Sequence, residues 1–128
     1  MKKVLVRVAG RELCLAEVAG NPWTRAVGLL GRKELGEGRG LWIRPCTSIH
    51  TFFMIFPIDV AYVSSEGTVV KTRACLRPFR LSMGGRGAHS VLELPAGSIE
   101  RSGLKVGDRL SCSAVDWEPP DRPEPGSG

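Results

Sequence analysis

Apolar and polar positions alternate from the start of the chain, with Val4, Val6 and Val8 on one side and Lys3 and Arg7 on the other. A period of two is that of a half-buried strand. Ala9-Gly10-Arg11 interrupts it as a tight connection, and Glu12 to Val18 reads as the second strand of a hairpin. The period then changes. In "GNPWTRAVGLLGR", Trp23, Ala26, Val27 and Leu30 recur at i, i+3, i+4 and i+7, which predicts a helix with one apolar stripe. Asn21 suits its N-cap, Pro22 its first position and Gly31 its end.

Short strand patterns return after the glycines at 36, 38 and 40: Leu41-Trp42-Ile43, then Ile58 to Val63, Thr68 to Cys75, Ser90 to Leu94 and Arg109 to Val115. Turns are expected at Ser64-Ser65-Glu66-Gly67, at Pro95-Ala96-Gly97 and at Gly107-Asp108. Arg77 to Ala88 reads as a loop, and Ser98 as the cap of a single helical turn ending at Gly103. These elements predict a mainly β domain of seven or eight short strands. One helix would pack on a curled antiparallel sheet or small barrel. The domain should occupy residues 1–116. Residues 117–128, "WEPPDRPEPGSG", are proline-rich and acidic, and lack the apolar content to fold.

Composition narrows the class. With 128 residues, 42% hydrophobic and 24% charged, the chain has the make-up of one soluble globular domain. Arg7 interrupts the first apolar run too early for a signal sequence, so a cytoplasmic protein is expected, with no membrane segment. Net charge is +5, and the acidic end leaves residues 1–116 at +7. Thirteen of the eighteen basic residues are arginine, a bias that fits a thermophile or a GC-rich genome. The basic residues Lys71, Arg73, Arg77, Arg80 and Arg86 gather around Phe79, a pattern suited to weak anion or nucleic-acid binding. Aromatic content of only 6% speaks for a solvated loop instead, and against nucleic acid as the main partner.

Candidate chemistry concentrates in "PCTSIHTFFMIFPIDV". Cys46, His50 and Met54 are soft donors at i, i+4 and i+8, but on a strand neighbours at that spacing lie about 13 Å apart. No metal and no cofactor is therefore expected. The same spacing separates Cys46 from His50 as nucleophile and base. Cysteines 14, 46, 75 and 112 form no CxxC motif and read as small buried thiols of a reducing compartment. Asp59 lies among apolar neighbours, and a buried carboxylate must find backbone N–H groups, a cation or water. It reads as a structural hydrogen-bond hub or as the floor of a polar pocket with His50 and Thr51. Glu93, in "VLELP", poses the same alternatives.

The ordered motifs "TRAVGLLGRKEL", "GLWIRPCTSIHTFFMIFPIDVAYVSSEGTVV", "AHSVLELPAG" and "GLKVGDRL" closely resemble the domain-of-unknown-function 192 family. Arg25, Gly28, Leu29 and Arg32 match its helix motif. Ile49 to Thr51, Met54 and Pro57 to Asp59 match its central segment, where other members often differ at His50. Leu92 to Leu94, Gly97, Gly107 and Asp108 match its closing motif. The resemblance implies a small, mostly β, barrel-like domain and no established activity, cofactor or catalytic residue. The reading that follows is a binding or accessory module with a pocket or rim formed by His50, Thr51, Asp59, Arg25 and Glu93, for a small molecule, peptide or protein. The alternatives are an enzyme with His50 and Asp59 in acid–base roles, or an anion site at Arg73, Arg77, Arg80 and Arg86.

Overall fold

The structure, a computed structural model, describes residues 2–19, 36–51 and 55–115. The expected helix over Asn21–Gly31, with Arg25, and the expected disordered tail over 117–128 lie outside these residues. The mainly β expectation is borne out.

Strands β1 (Lys2–Val8) and β2 (Arg11–Ala19) form the N-terminal hairpin. Ala9 and Gly10 both take positive φ, 51° and 77°, as a two-residue turn matched to strand twist requires. β3 (Arg39–Ile43) lies parallel to β2, with Leu15 opposite Arg39 and Ala19 opposite Ile43. A parallel neighbour needs a crossover of a dozen or more residues, and the chain between Ala19 and Arg39 has that length. The remaining strands are β4 (Ser48–His50), β5 (Ile58–Val63), β6 (Val69–Leu76), β7 (Leu81–Met83), β8 (Ser90–Pro95) and β9 (Leu110–Ala114). A short helix, α1, spans Ser98–Ser102 and ends at Gly103, whose φ is 72°.

Seven strands make one mixed sheet in the order β6-β5-β8-β3-β2-β1-β9, and β4 pairs with β7 in a second. The wholly antiparallel sheet expected from sequence is thus interrupted at β2–β3. The sheet is not closed into a barrel. Its edges meet only at one corner, where Thr68 bridges Arg109 and the Leu110 N–H donates to the Gly67 carbonyl at 2.8 Å. Beyond that corner β6 has no further strand partner among the described residues, because β9 runs along β1.

The two faces of the sheet bury separate cores. Val4, Val6, Val8, Ala61, Val63 and Leu92 pack on one side, joined by Leu104 and Leu110. Leu41, Ile43, Ile58, Val60, Tyr62 and Val91 pack on the other, beneath Ile49 and Phe56. Strand β5 is covered on both faces and is buried at all six positions. That explains why its sequence runs apolar without alternation.

Candidate functional site

β5 and β6 fall out of step at two points, and a carboxylate sits at the first. Ile58 pairs with Leu76 and Val60 with Arg73, so Asp59 alone faces both Ala74 and Cys75, a β-bulge in β6. Cys75 takes a left-handed φ of 52°, which turns its N–H out of the ladder. Asp59, fully buried, receives that N–H on Oδ1 at 2.7 Å. Its Oδ2 receives the Ile99 N–H at 2.8 Å. Ile99 lies in the first turn of α1, where N–H groups have no helical acceptor and Gly97 offers no capping side chain. One carboxylate thereby satisfies two otherwise orphaned donors, tying the bulge to the helix.

Thr51 does similar work one loop further on. It is fully buried; its hydroxyl donates to the Arg77 carbonyl at 2.6 Å and accepts from the Arg80 N–H at 2.8 Å. Its backbone N–H donates to the Arg80 carbonyl, and its carbonyl accepts from Phe79 N–H. Four bonds thus fix residues 77–80 in a tight loop, with Phe79 at φ 62° and its ring 61% exposed.

Between the bulge and this loop lies an open pocket of about 260 Å³, lined by Arg73, Cys75, Leu76, Arg77 and Arg80. All three arginines are exposed. Among the described residues no carboxylate pairs with any of them, whereas Arg7 pairs with Glu12 and Lys105 with Asp108. Guanidinium groups are always charged and present a planar fork of donors, a match for phosphate and carboxylate oxygens. Arg86 does not line this pocket.

The other expected site residues are distributed differently. His50 is exposed on β4 opposite Leu81, while its neighbour Ile49 points inward opposite Ser82. Arg25 lies outside the described residues. Glu93 is buried on the β8 face opposite that of Leu92 and Leu94, with Leu41 and Val60 as cross-strand neighbours. Among the described residues nothing hydrogen-bonds or ion-pairs with its carboxyl group. Burial pushes its pKa up to about 8. Asp59 and Glu93 therefore do not share a site, and the Asp59 carboxylate spends both oxygens on backbone. Of the thiols, burial pushes Cys14 up to about 12, Cys46 donates to the Ser48 carbonyl, and Cys75 and Cys112 are exposed. No three His, Cys, Asp or Glu side chains among the described residues come together as metal ligands. The sequence reading passed over Cys75. Strand spacing could not have found it, because the bulge at Ala74 and Cys75 breaks the two-residue period after Arg73.

Comparison with known proteins places this architecture. The profile of the DUF192 family, described as uncharacterized, matches residues 4–112. The chain belongs to the DUF192 family. A UPF0127 protein of Thermococcus sibiricus is 37% identical over 71 residues, covering 56% of this chain and 42% of that protein. A UPF0127 protein of Pyrococcus abyssi is 39% identical over 70 residues, covering 55% of each. The chain thus spans about half the length of the curated relatives it matches. Among solved structures, a Sinorhizobium meliloti protein provisionally described as a transcription regulator superposes with a TM-score of 0.78 at 26% identity. That match covers 88% of this chain and 94% of the other. A Novosphingobium aromaticivorans protein of unknown function gives 0.75 at 24% identity, over 85% and 83% of the two chains. The second likeness is one of fold. The DUF192 domain has no activity attached to it by these relatives, and no helix among the described residues is long and apolar enough to cross a membrane.

Proposed function

We propose that this DUF192 domain is a binding module for an anionic ligand, held by Arg73, Arg77 and Arg80. The observation that carries the reading is their convergence on one pocket, on backbone pinned by buried Asp59 and Thr51. Holding cations in place before the ligand arrives lowers the ordering cost of binding. In this reading Asp59 and Thr51 are positioning residues, and His50, exposed next to Thr51 in the chain, is not among the lining residues. Charged residues on an edge strand can also serve only to discourage pairing with another chain. Such protection does not require three arginines to meet around one cavity.

Pyrophosphate, titrated calorimetrically at low salt, is the first probe. Saturable binding is expected, weakened about tenfold or more in Arg77→Gln/Arg80→Gln, as loss of charge-assisted hydrogen bonds requires. Equal affinity in the double variant, or no saturable binding at all, overturns the reading. The Sinorhizobium neighbour's description favours a second form of it, in which the anion is a nucleic-acid backbone and Phe79 stacks on a base. Duplex or single-stranded DNA binding more tightly than pyrophosphate, with affinity falling steeply as salt rises, would select that form.

A further inference from the structure

We infer that Cys75 is a site of S-thiolation selective for anionic disulfides, with the three arginines of its pocket recruiting the reagent. The inference rests on the anion-pocket reading and assigns that pocket a reactive group. Cys75 is exposed and lines the cavity together with Arg73, Arg77 and Arg80. Its backbone is fixed by the bond from its N–H to Asp59, so the thiol is presented at a set place beside the cations. The other thiols lack this combination. Cys14 is buried; Cys46 donates to Ser48 and lines a different cavity with Pro45, Thr47 and Ser48. Cys112 is exposed on the edge strand β9, between Ser111 and Ser113, and serves as an internal control.

The step is thiol–disulfide exchange. The Cys75 thiol gives its proton to solvent, and the thiolate attacks one sulfur of the disulfide. A bond forms from Sγ to that sulfur while the reagent's own S–S bond breaks, and the departing thiolate carries away the electron pair. Cys75 is oxidised to a mixed disulfide, and the released half of the reagent is reduced to a thiol. Positive charge around the pocket raises the local concentration of an anionic disulfide and favours the negative charge that builds up on the sulfurs. A neutral disulfide gains only the second effect, so the ratio of the two rates isolates recruitment.

The test follows modification of each cysteine in the intact chain by peptide mass mapping. Dianionic dithiobis(nitrobenzoate) is compared with neutral dithiodipyridine. At low salt the anionic-to-neutral rate ratio should be about tenfold higher for Cys75 than for Cys112, and should shrink as added salt screens the arginines. Arg77→Gln/Arg80→Gln should bring the Cys75 ratio down toward that of Cys112. Pyrophosphate should protect Cys75 and leave Cys112 untouched. Equal ratios at the two thiols, alongside saturable pyrophosphate binding, would overturn the thiolation inference and leave the anion pocket standing. Equal ratios with no pyrophosphate binding overturn both.

Discussion

Two carboxylates are buried on adjacent strands of the same sheet, and they are held in opposite ways. Asp59 on β5 has an N–H on each oxygen, from Cys75 and from Ile99. Glu93 on β8, opposite Val60, has no partner among the described residues, and burial pushes its pKa up to about 8. The first carboxylate is useful as an acceptor, because each of its oxygens takes a backbone N–H that has no partner in the ladder or the helix. The second is tolerated as a neutral acid, because an unpaired charge beside Leu41 and Val60 would be costly. Burial alone therefore does not mark a functional acid. Its partners decide whether it holds structure, holds a proton or holds nothing.

The comparison breaks most visibly at Asp59. Asp59→Ala takes the acceptor away from both the Cys75 and the Ile99 N–H groups, and should cost about 3–5 kcal/mol in chemical unfolding. A loss below about 1 kcal/mol would mean that the bulge and α1 find other acceptors, and the hub role would fall.

Glu93 makes the converse prediction, read in pH. Its folded pKa, about 8, stands above the ordinary value of 4.5. Below the ordinary value both folded and unfolded chains hold the proton, and the contribution to stability is fully present. As pH rises toward 8 the unfolded chain releases its proton while the folded chain keeps it, so stability falls. The slope approaches about 1.4 kcal/mol per pH unit, or roughly 2–3 kcal/mol between pH 5 and pH 7. Glu93→Gln should flatten that slope in a series of urea melts and gain stability at neutral pH. An unchanged slope would show that Glu93 has a compensating cation.

Most of this frame was legible in the sequence. Alternation at Val4, Val6 and Val8, the turn at Ala9-Gly10, and the Ser64–Gly67 connection all appear where pattern and turn chemistry put them. Strand direction was not legible, because alternation is the same whether β3 runs parallel or antiparallel to β2. Neither was closure, which depends on whether two edge strands meet in space. Asp59 and Thr51 stood out as polar residues in apolar company, yet their partners were hidden. The partners are backbone N–H and carbonyl groups of residues distant in sequence, and every residue type except proline carries both. Arg77 to Ala88 looked like loop because Pro78 and its glycines outweigh the three strand residues Leu81–Met83. β7 is held by pairing with β4, a long-range contact that local composition does not encode.

Thr51 tests whether the lesson of Asp59 extends to a neutral group. Thr51→Val keeps the shape but removes the hydroxyl that serves Arg77 and Arg80, and should cost about 1–2 kcal/mol. Because the backbone bonds to Phe79 and Arg80 remain, the loop should persist with looser arginines, and pyrophosphate affinity should fall with stability. Affinity unchanged in a folded Thr51→Val chain would show that the hydroxyl stabilises the loop without positioning its cations.

The smallest effect on folding is expected where the largest effect on binding is claimed. Arg80 is exposed, and among the described residues its side chain reaches only the neighbouring Phe79 carbonyl, at 3.4 Å. Arg80→Gln should therefore leave the unfolding free energy within about 0.5 kcal/mol of the parent chain. Pyrophosphate affinity should nonetheless drop several-fold in calorimetry, since one of three convergent charges is gone. The contrast with Asp59 is then complete: a buried carboxylate whose removal destabilises the fold without having touched a ligand, and an exposed cation whose removal spares the fold. If Arg80→Gln destabilised the chain as Thr51→Val does, the arginine would belong to the scaffold, and the pocket would lose its claim to be a site.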